Sequence, residues 1–380
     1  MSFMANPSNH IKEVFLLFLK LGCIAFGGPA AHISMMEDEV VSQRKWMSRQ
    51  YFLDMVGATN LVPGPNSTQM TMHCGHVRAG WWGLWVAGIA FIAPAVIFTL
   101  ILAIIYGKYG EIPAIAPLFY GIKPAVIGII LNATFKLGKK AFKIWQLVLI
   151  GLLTTVLSLM GIDEFLLIIG SGILGMFWLS LQDKKGRMTM FSPLLILGKP
   201  VGIAAIENYS IFLVFLKIAL VLFGSGYVLI AYIDAELVEK LGWLTKGQLL
   251  DAIAIGQFTP APVLTTATFV GYQLNGISGA LWASLGMFLP SFFLVGILVK
   301  LIPLLRKSVL LSRFLDAVNA GAVGIMIAVT LKLGYDMSSD WRALLLMGLS
   351  ILATFAFKKV SPFWIILSGG LLGYLLLLVP

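Results

Sequence analysis

Two lysines stand where charge is costly. Lys20 interrupts the apolar run FLLFLKLGCI (15–24), and Lys217 interrupts FLVFLKIALV (212–221) at the same place. A charge at the centre of a bilayer costs at least ~2.5–3.5 kcal/mol on insertion scales, so it faces a cavity or a partner. An ammonium held there binds an anion; the alternatives are snorkelling to the interface or pairing with a carboxylate. Each lysine is followed by a glycine break, Gly27-Gly28 and Gly224-Ser225. Such turns leave backbone amides unpaired and able to cradle an anion, or they serve as a bend with close packing. Further on lie two proline pairs, Pro63-Gly64-Pro65 and Pro260-Ala261-Pro262. Hydroxyl and amide residues open the helix behind each: Asn66, Ser67 and Thr68, then Thr265 and Thr266. A helix N-terminus offers free N–H groups and partial positive charge, a natural oxyanion site, although such residues also cap those amides themselves. Asn60 and Gln257, at matching places before the prolines, are amide donors that complete the set. Two carboxylate pairs, Glu39 with Glu236 and Asp54 with Asp251, could carry protons or simply pair with Arg49 and Lys246. His73 and His76, one turn apart, titrate near neutral pH unless structural hydrogen bonds hold them.

These residues come in twos because the chain is duplicated. FLKLGCIAFGGP (18–29) returns as FLKIALVLFGSG (215–226), an offset of 197 that slips to 196 between Thr71/Thr268 and Gly80/Gly276. Each half reads as a span ending in the glycine break, an amphipathic charged stretch, two short helical pieces around the proline pair, and four ordinary spans. Pieces of about a dozen residues at ~1.5 Å per residue cannot cross ~30 Å of hydrocarbon. Proline removes a backbone donor and clashes with the preceding turn, so each pair is read as a re-entrant hairpin with its tip near the midplane. Corresponding loops carry opposite charge: Arg44, Lys45, Arg49 and Arg78 in the first half answer to Asp234, Glu236 and Glu239 in the second. The positive-inside bias then sets the halves upside down relative to each other. The predicted fold is all-α and polytopic, with two inverted-topology repeats of five transmembrane helices plus one hairpin, and both termini outside. Residues 1–181 form the first repeat, 182–206 a linker and 207–380 the second repeat.

Composition agrees. The 380 residues are 59% hydrophobic and only 12% charged, with a mean hydropathy of +0.94, which excludes a soluble globular domain. Ten-residue alternating strands of a barrel are absent, and the first apolar stretch lacks a small-residue cleavage site. The net charge of +10 sits in short loops between spans, which fits membrane orientation and not nucleic acid. Cys23 and Cys74 fall in apolar segments as small buried residues, and no Cys/His spacing suggests a metal site. No nucleotide-binding loop is present, so an ion gradient or exchange would drive transport without a cofactor.

The motifs FGGPAAHISMMEDEVV, KWMSRQYFLD and NLVPGPNSTQM, with GWLTKGQLLDAIAIGQFTPAP, GYQLNGISGA and PSF in the second half, resemble the chromate ion transporter family in its long, two-domain form. The resemblance covers essentially the whole chain. It implies an oxyanion carrier of the cytoplasmic (inner) membrane, associated with chromate efflux and resistance, with sulfate as a structural analogue. The partners so implied are chromate or sulfate and the lipid bilayer, with a homodimer as the candidate assembly. Two departures break the internal symmetry: Ala261 replaces Gly64, and Gly226 replaces Pro29.

Overall fold

The computed structural model describes residues 7–24, 29–59, 62–109, 116–181, 206–223, 226–259, 263–305, 309–357 and 360–378. Among them there is no strand. The first half contributes α1 (Pro7–Ile24), α2 (Pro29–Glu37), α3 (Arg49–Thr59), α4 (Asn66–Tyr109), α5 (Ala116–Ala141), α6 (Trp145–Leu159) and α7 (Glu164–Leu181). The second repeats the series as α8 (Asn208–Val221), α9 (Val228–Ile233), α10 (Lys246–Phe258), α11 (Thr266–Leu305), α12 (Val309–Asp336), α13 (Trp341–Ala356) and α14 (Pro362–Leu378). Five of the described helices are long and apolar enough to cross a membrane, and shorter apolar helices accompany them.

The long helices α4 and α11 are each two arms joined at a sharp corner. Ala79-Gly80 and Asn275-Gly276 leave helical geometry at matching positions, with φ of +63° and +57° at the two glycines. Only glycine takes that conformation without strain. Past the corner the arms touch backbone to backbone: a Cβ on Gly75 would overlap the Gly83 carbonyl, and one on Gly271 the Gly279 carbonyl. The repeat therefore slips to an offset of 196 before Gly75. The short arms, 66–78 and 266–274, lie behind the proline pairs as expected.

The first helix of each half departs from expectation. It was read as a lone span, yet the chain turns back on it. Lys20 meets Glu39 and Glu13 meets Arg44 and Trp46, so α1 pairs antiparallel with residues 29–46. In the second half Lys217 meets Glu236 and the Tyr232 hydroxyl donates to the Val221 carbonyl, which gives α8 the same partner. Each half thus folds its first helix against the stretch that follows it. Glu13 also binds Arg78, so the start of α1 shares one end of the molecule with Arg44 and Arg78.

The halves interlock through matched contacts. α5 packs on α13 and α14, and α12 packs in the same way on α6 and α7. α4 and α11 cross each other at the centre, with Trp85 stacked on Phe292 at 4.5 Å and Trp81 against Gly296. Rising numbers on one arm meet falling numbers on the other, so these equivalent arms run antiparallel. Small residues set the approach: Gly121 lies on Gly369 and Gly373, and Gly128 on Ser350. Ser180, ending the first half, accepts from Arg313, whereas Asn208, opening the second, accepts from Asn275 at the other end of the long arm of α11.

Candidate functional site

The lysines come first. The Lys20 ammonium donates to Glu39 Oε1 at 2.8 Å, and the Lys217 ammonium to Glu236 Oε2 at 2.8 Å. Both glutamates lie in one turn of π-helix, Asp38–Gln43 and Asp234–Lys240. Their carbonyls accept from the amides five residues on, Arg44 and Leu241, and Trp46 and Trp243 close the turn onto Val40 and Leu237. The wider turn carries the carboxylate inward, and π-bulges recur at functional sites. Arg44 adds a second cation to Glu39 at 3.3 Å, and Lys240 one to Glu236 at 3.4 Å. The Lys20 hydrogen bond, with the nearby positive charges, holds the Glu39 carboxyl below the usual carboxylate range despite its burial. Lys217 also lies over the Phe165 ring, 3.8 Å from its centre, a cation–π contact. The lysine side chains nevertheless stay 57% and 41% exposed, against 9% and 7% for the glutamates. Glu39 and Glu236 do not take the expected partners, because Arg49 holds Glu37 and Lys246 holds Asp336.

The first hairpin tip reaches into the other half. The Gly64 amide donates to the Leu222 carbonyl at 2.7 Å, just before the second glycine break. Gly64 has a φ of +114°, and a Cβ there would strike Gln69 and the Ser291 hydroxyl. Gln69 in turn donates to the Pro63 carbonyl at 2.6 Å, which holds the tip over the start of α4 beyond Pro65. Gly226, closing the second glycine break, lies against Leu264 beside the second tip. Tyr227 donates to Gln257 Oε1 at 3.3 Å. The first hairpin tip thus meets the end of α8 and Ser291 of α11, both in the other half.

The polar residues divide into satisfied and unsatisfied. Thr266 donates to the Val263 carbonyl and Thr265 bonds the Thr259 hydroxyl, so both hydroxyls have local partners. Asn66 opens α4 and Ser67, buried behind it, accepts from Thr71 on its carbonyl. The buried Thr68 Oγ1 and Gln257 Nε2 have no hydrogen-bond partner among the described residues. A buried donor left unmade is costly, and a ligand atom relieves it. Gly27, Gly28, Asn60, Gly224, Ser225, Pro260, Ala261 and Pro262 lie outside the described residues. His73 meets the Tyr51 hydroxyl at 3.3 Å, and His76 lies edge-on to Trp81, which places both in packing contacts. Asp54 accepts from Gln50 one turn earlier.

Asp251 leads to residues the sequence did not single out. It accepts from the Tyr106 hydroxyl at 2.7 Å and faces Lys123 at 3.4 Å, both from the first half. These line a cleft of about 430 Å³ with Tyr120, Asp336 and Asp340. Tyr120 donates to Asp340 across the same cleft. Lys123 has no charged repeat partner, since Asn319 occupies its place, so internal comparison alone could not raise it. Its position inside an apolar helix, as for Lys20, was the available signal.

The family model described as chromate transporter matches residues 12–176 and again 209–374. A probable chromate transport protein of Synechococcus elongatus is 29% identical over 94% of this chain and 93% of its own length. Chromate transport proteins of Cupriavidus metallidurans and Pseudomonas aeruginosa are 27% and 29% identical, each over 97% of this chain and 93% of theirs. No solved structure matches. The protein is a multi-pass integral protein of the cell membrane and a transport protein, not an enzyme, and the chain belongs to the chromate transporter family.

Proposed function

We propose that this protein is a secondary transporter that expels chromate, or carries the isosteric sulfate, by alternating access between two inverted halves. Family membership supplies the substrate class. The observation that supports the mechanism is the first hairpin tip bonded to the end of α8 in the other half, Gly64 to Leu222 at 2.7 Å. A site shared by two antiparallel repeats is what a rocking carrier requires. Thr68 and Gln257 supply buried donors that await an acceptor, and the open faces of Lys20 and Lys217 supply positive charge. In this reading the end bearing Arg44, Arg78, Lys139 and Lys140 is cytoplasmic, so the chain starts inside and α14 ends outside.

Proteoliposomes holding the full chain, supplied with labelled chromate or sulfate, test it. Saturable uptake is expected, reduced at least tenfold by Gly64→Ala and several-fold by Thr68→Val or Gln257→Leu, because each removes a site donor or its backbone geometry. If neither anion moves, or if all three variants transport as wild type, the site is wrong.

A further inference from the structure

The two halves match in fold but not in how they dock. In the second half, α9 packs on α12, and α10 packs on α5 and α14. The equivalent packing in the first half, α2 on α5 and α3 on α12 and α7, is not made to a comparable extent. One unit is closed down on the α5–α12 scaffold; its counterpart stands away.

Charge explains which one closes. Four ion pairs tie the closed unit to the scaffold. Lys240 meets Asp163 at 3.6 Å, in the turn between α6 and α7. Glu239 meets Lys332 of α12 at 2.8 Å, and Lys246 meets Asp336 at the end of α12 at 2.7 Å. Asp251 Oδ2 meets Lys123 of α5 at 3.4 Å and accepts from Tyr106 on the same oxygen. The repeat offsets carry each pair to the opposite end of the molecule. There Lys240 and Asp163 become Gln43 and Lys359, and Glu239 and Lys332 become Ser42 and Lys136. Lys246 and Asp336 become Arg49 and Lys140, while Asp251 and Lys123 become Asp54 and Asn319. None of the four mirror pairs joins opposite charges, and one joins two cations.

We propose that these four ion pairs are a gate that shuts one mouth of the transporter, and that the mirror mouth, with no such pairs, admits the oxyanion. Lys123, Lys246, Lys332 and Lys240 position the gate and need not touch the substrate. At the mirror mouth Lys136 and Lys140 are exposed and without an ionic partner among the described residues, while Arg49 stands nearby in sequence register on α3. Closing that mouth would bring Arg49, already paired with Glu37, towards Lys140 and Lys136, a net positive cluster that a dianion between them would offset. The gated mouth shuts without substrate; the basic mouth shuts only on an anion. The structure is then the form open to the basic, cytoplasmic end. This inference rests on the transport reading above and deepens it.

Two measurements on the full-length protein in liposomes judge it. The first reads the gate without transport: hydrogen–deuterium exchange across 246–258. Lys246→Asp sets two carboxylates together and should speed exchange there about tenfold, while Lys246→Asp with Asp336→Lys restores it. Exchange unchanged by Lys246→Asp, or unrestored by the swap, overturns the gate. The second uses a cleavable thiol cross-linker in a Cys23→Ser background. Glu239→Cys with Lys332→Cys should cross-link without substrate and lose labelled-chromate and labelled-sulfate flux until the linker is cleaved. Ser42→Cys with Lys136→Cys should cross-link only with saturating chromate or sulfate present. Flux that survives the first bridge, or mirror cross-linking indifferent to both anions, refutes the assignment of mouths. If the wild type moves neither anion, the transport reading fails while the exchange result still decides the gate.

Discussion

Removing Lys217 should harm the fold more than neutralising its partner. Glu236 is the buried member, 7% exposed, while the Lys217 side chain is 41% exposed. Lys217→Met strands a carboxylate that keeps only Lys240 at 3.4 Å. A fully stranded buried charge costs ~3–5 kcal/mol, and the remaining lysine reduces this to about 2–3. Glu236→Gln leaves an ammonium that already reaches solvent or a cavity and keeps the Phe165 face at 3.8 Å. That loss is worth about 1–2 kcal/mol, the range for one charge-assisted hydrogen bond discounted for exposure. The double variant leaves no stranded charge, so it should cost about 1–2 kcal/mol, well under the sum, with a coupling of roughly 1.5–3. Titration of the purified protein from dodecyl maltoside into sodium dodecyl sulfate, followed by tryptophan fluorescence, gives all three values. Single costs that add to within about 0.5 kcal/mol, or a reversed order of the two singles, would falsify the pairing as a source of stability. In the first half the coupling between Lys20 and Glu39 should be smaller, because Lys20 is 57% exposed against 41% for Lys217.

Two other outcomes follow from packing and burial. Gly75→Ala and Gly271→Ala should each cost about 1–3 kcal/mol in the same titration, since the added carbon meets a backbone carbonyl that cannot move aside; Gly57→Ala, with open space around it, should be neutral or slightly stabilising. Burial raises the Asp234 carboxyl to about 6, above its unfolded value, so its ionisation opposes folding as pH rises through that range. Asp234→Asn should therefore raise the melting temperature at pH 7.5 by an amount worth about 1–3 kcal/mol, with the gain fading by pH 4. Differential scanning fluorimetry across that range checks the sign.

Much of the fold was legible because apolar runs and proline pairs act locally. The short helices α3 and α10 end a few residues before the proline pairs, and the arms behind them start within a few residues after. The Lys–Glu pairs were partly legible: both halves keep a spacing of 19 residues, Lys20 to Glu39 and Lys217 to Glu236, which only a turned-back chain can use. What hid the contact was the glycine break, whose angle no neighbouring residue determines. The π-turns left no mark in sequence, since a single extra residue per turn follows from the packing of Trp46 and Trp243. Asp251 was legible through its repeat partner Asp54, but its contact with Lys123 was not, because the two meet across the halves and Asn319 stands where Lys123 would have a charged counterpart.

The exchange of partners between α5 with α13 and α14, and α12 with α6 and α7, has a consequence for synthesis. When α7 leaves the ribosome, α5 has inserted with its glycine face, Gly121 and Gly128, still turned to lipid. That face is covered only when the last two helices arrive. The first half therefore waits, inserted but unfinished, for the end of translation. Stopping the chain after α12 would leave it inserted yet never assembled, a form that quality-control proteases can recognise.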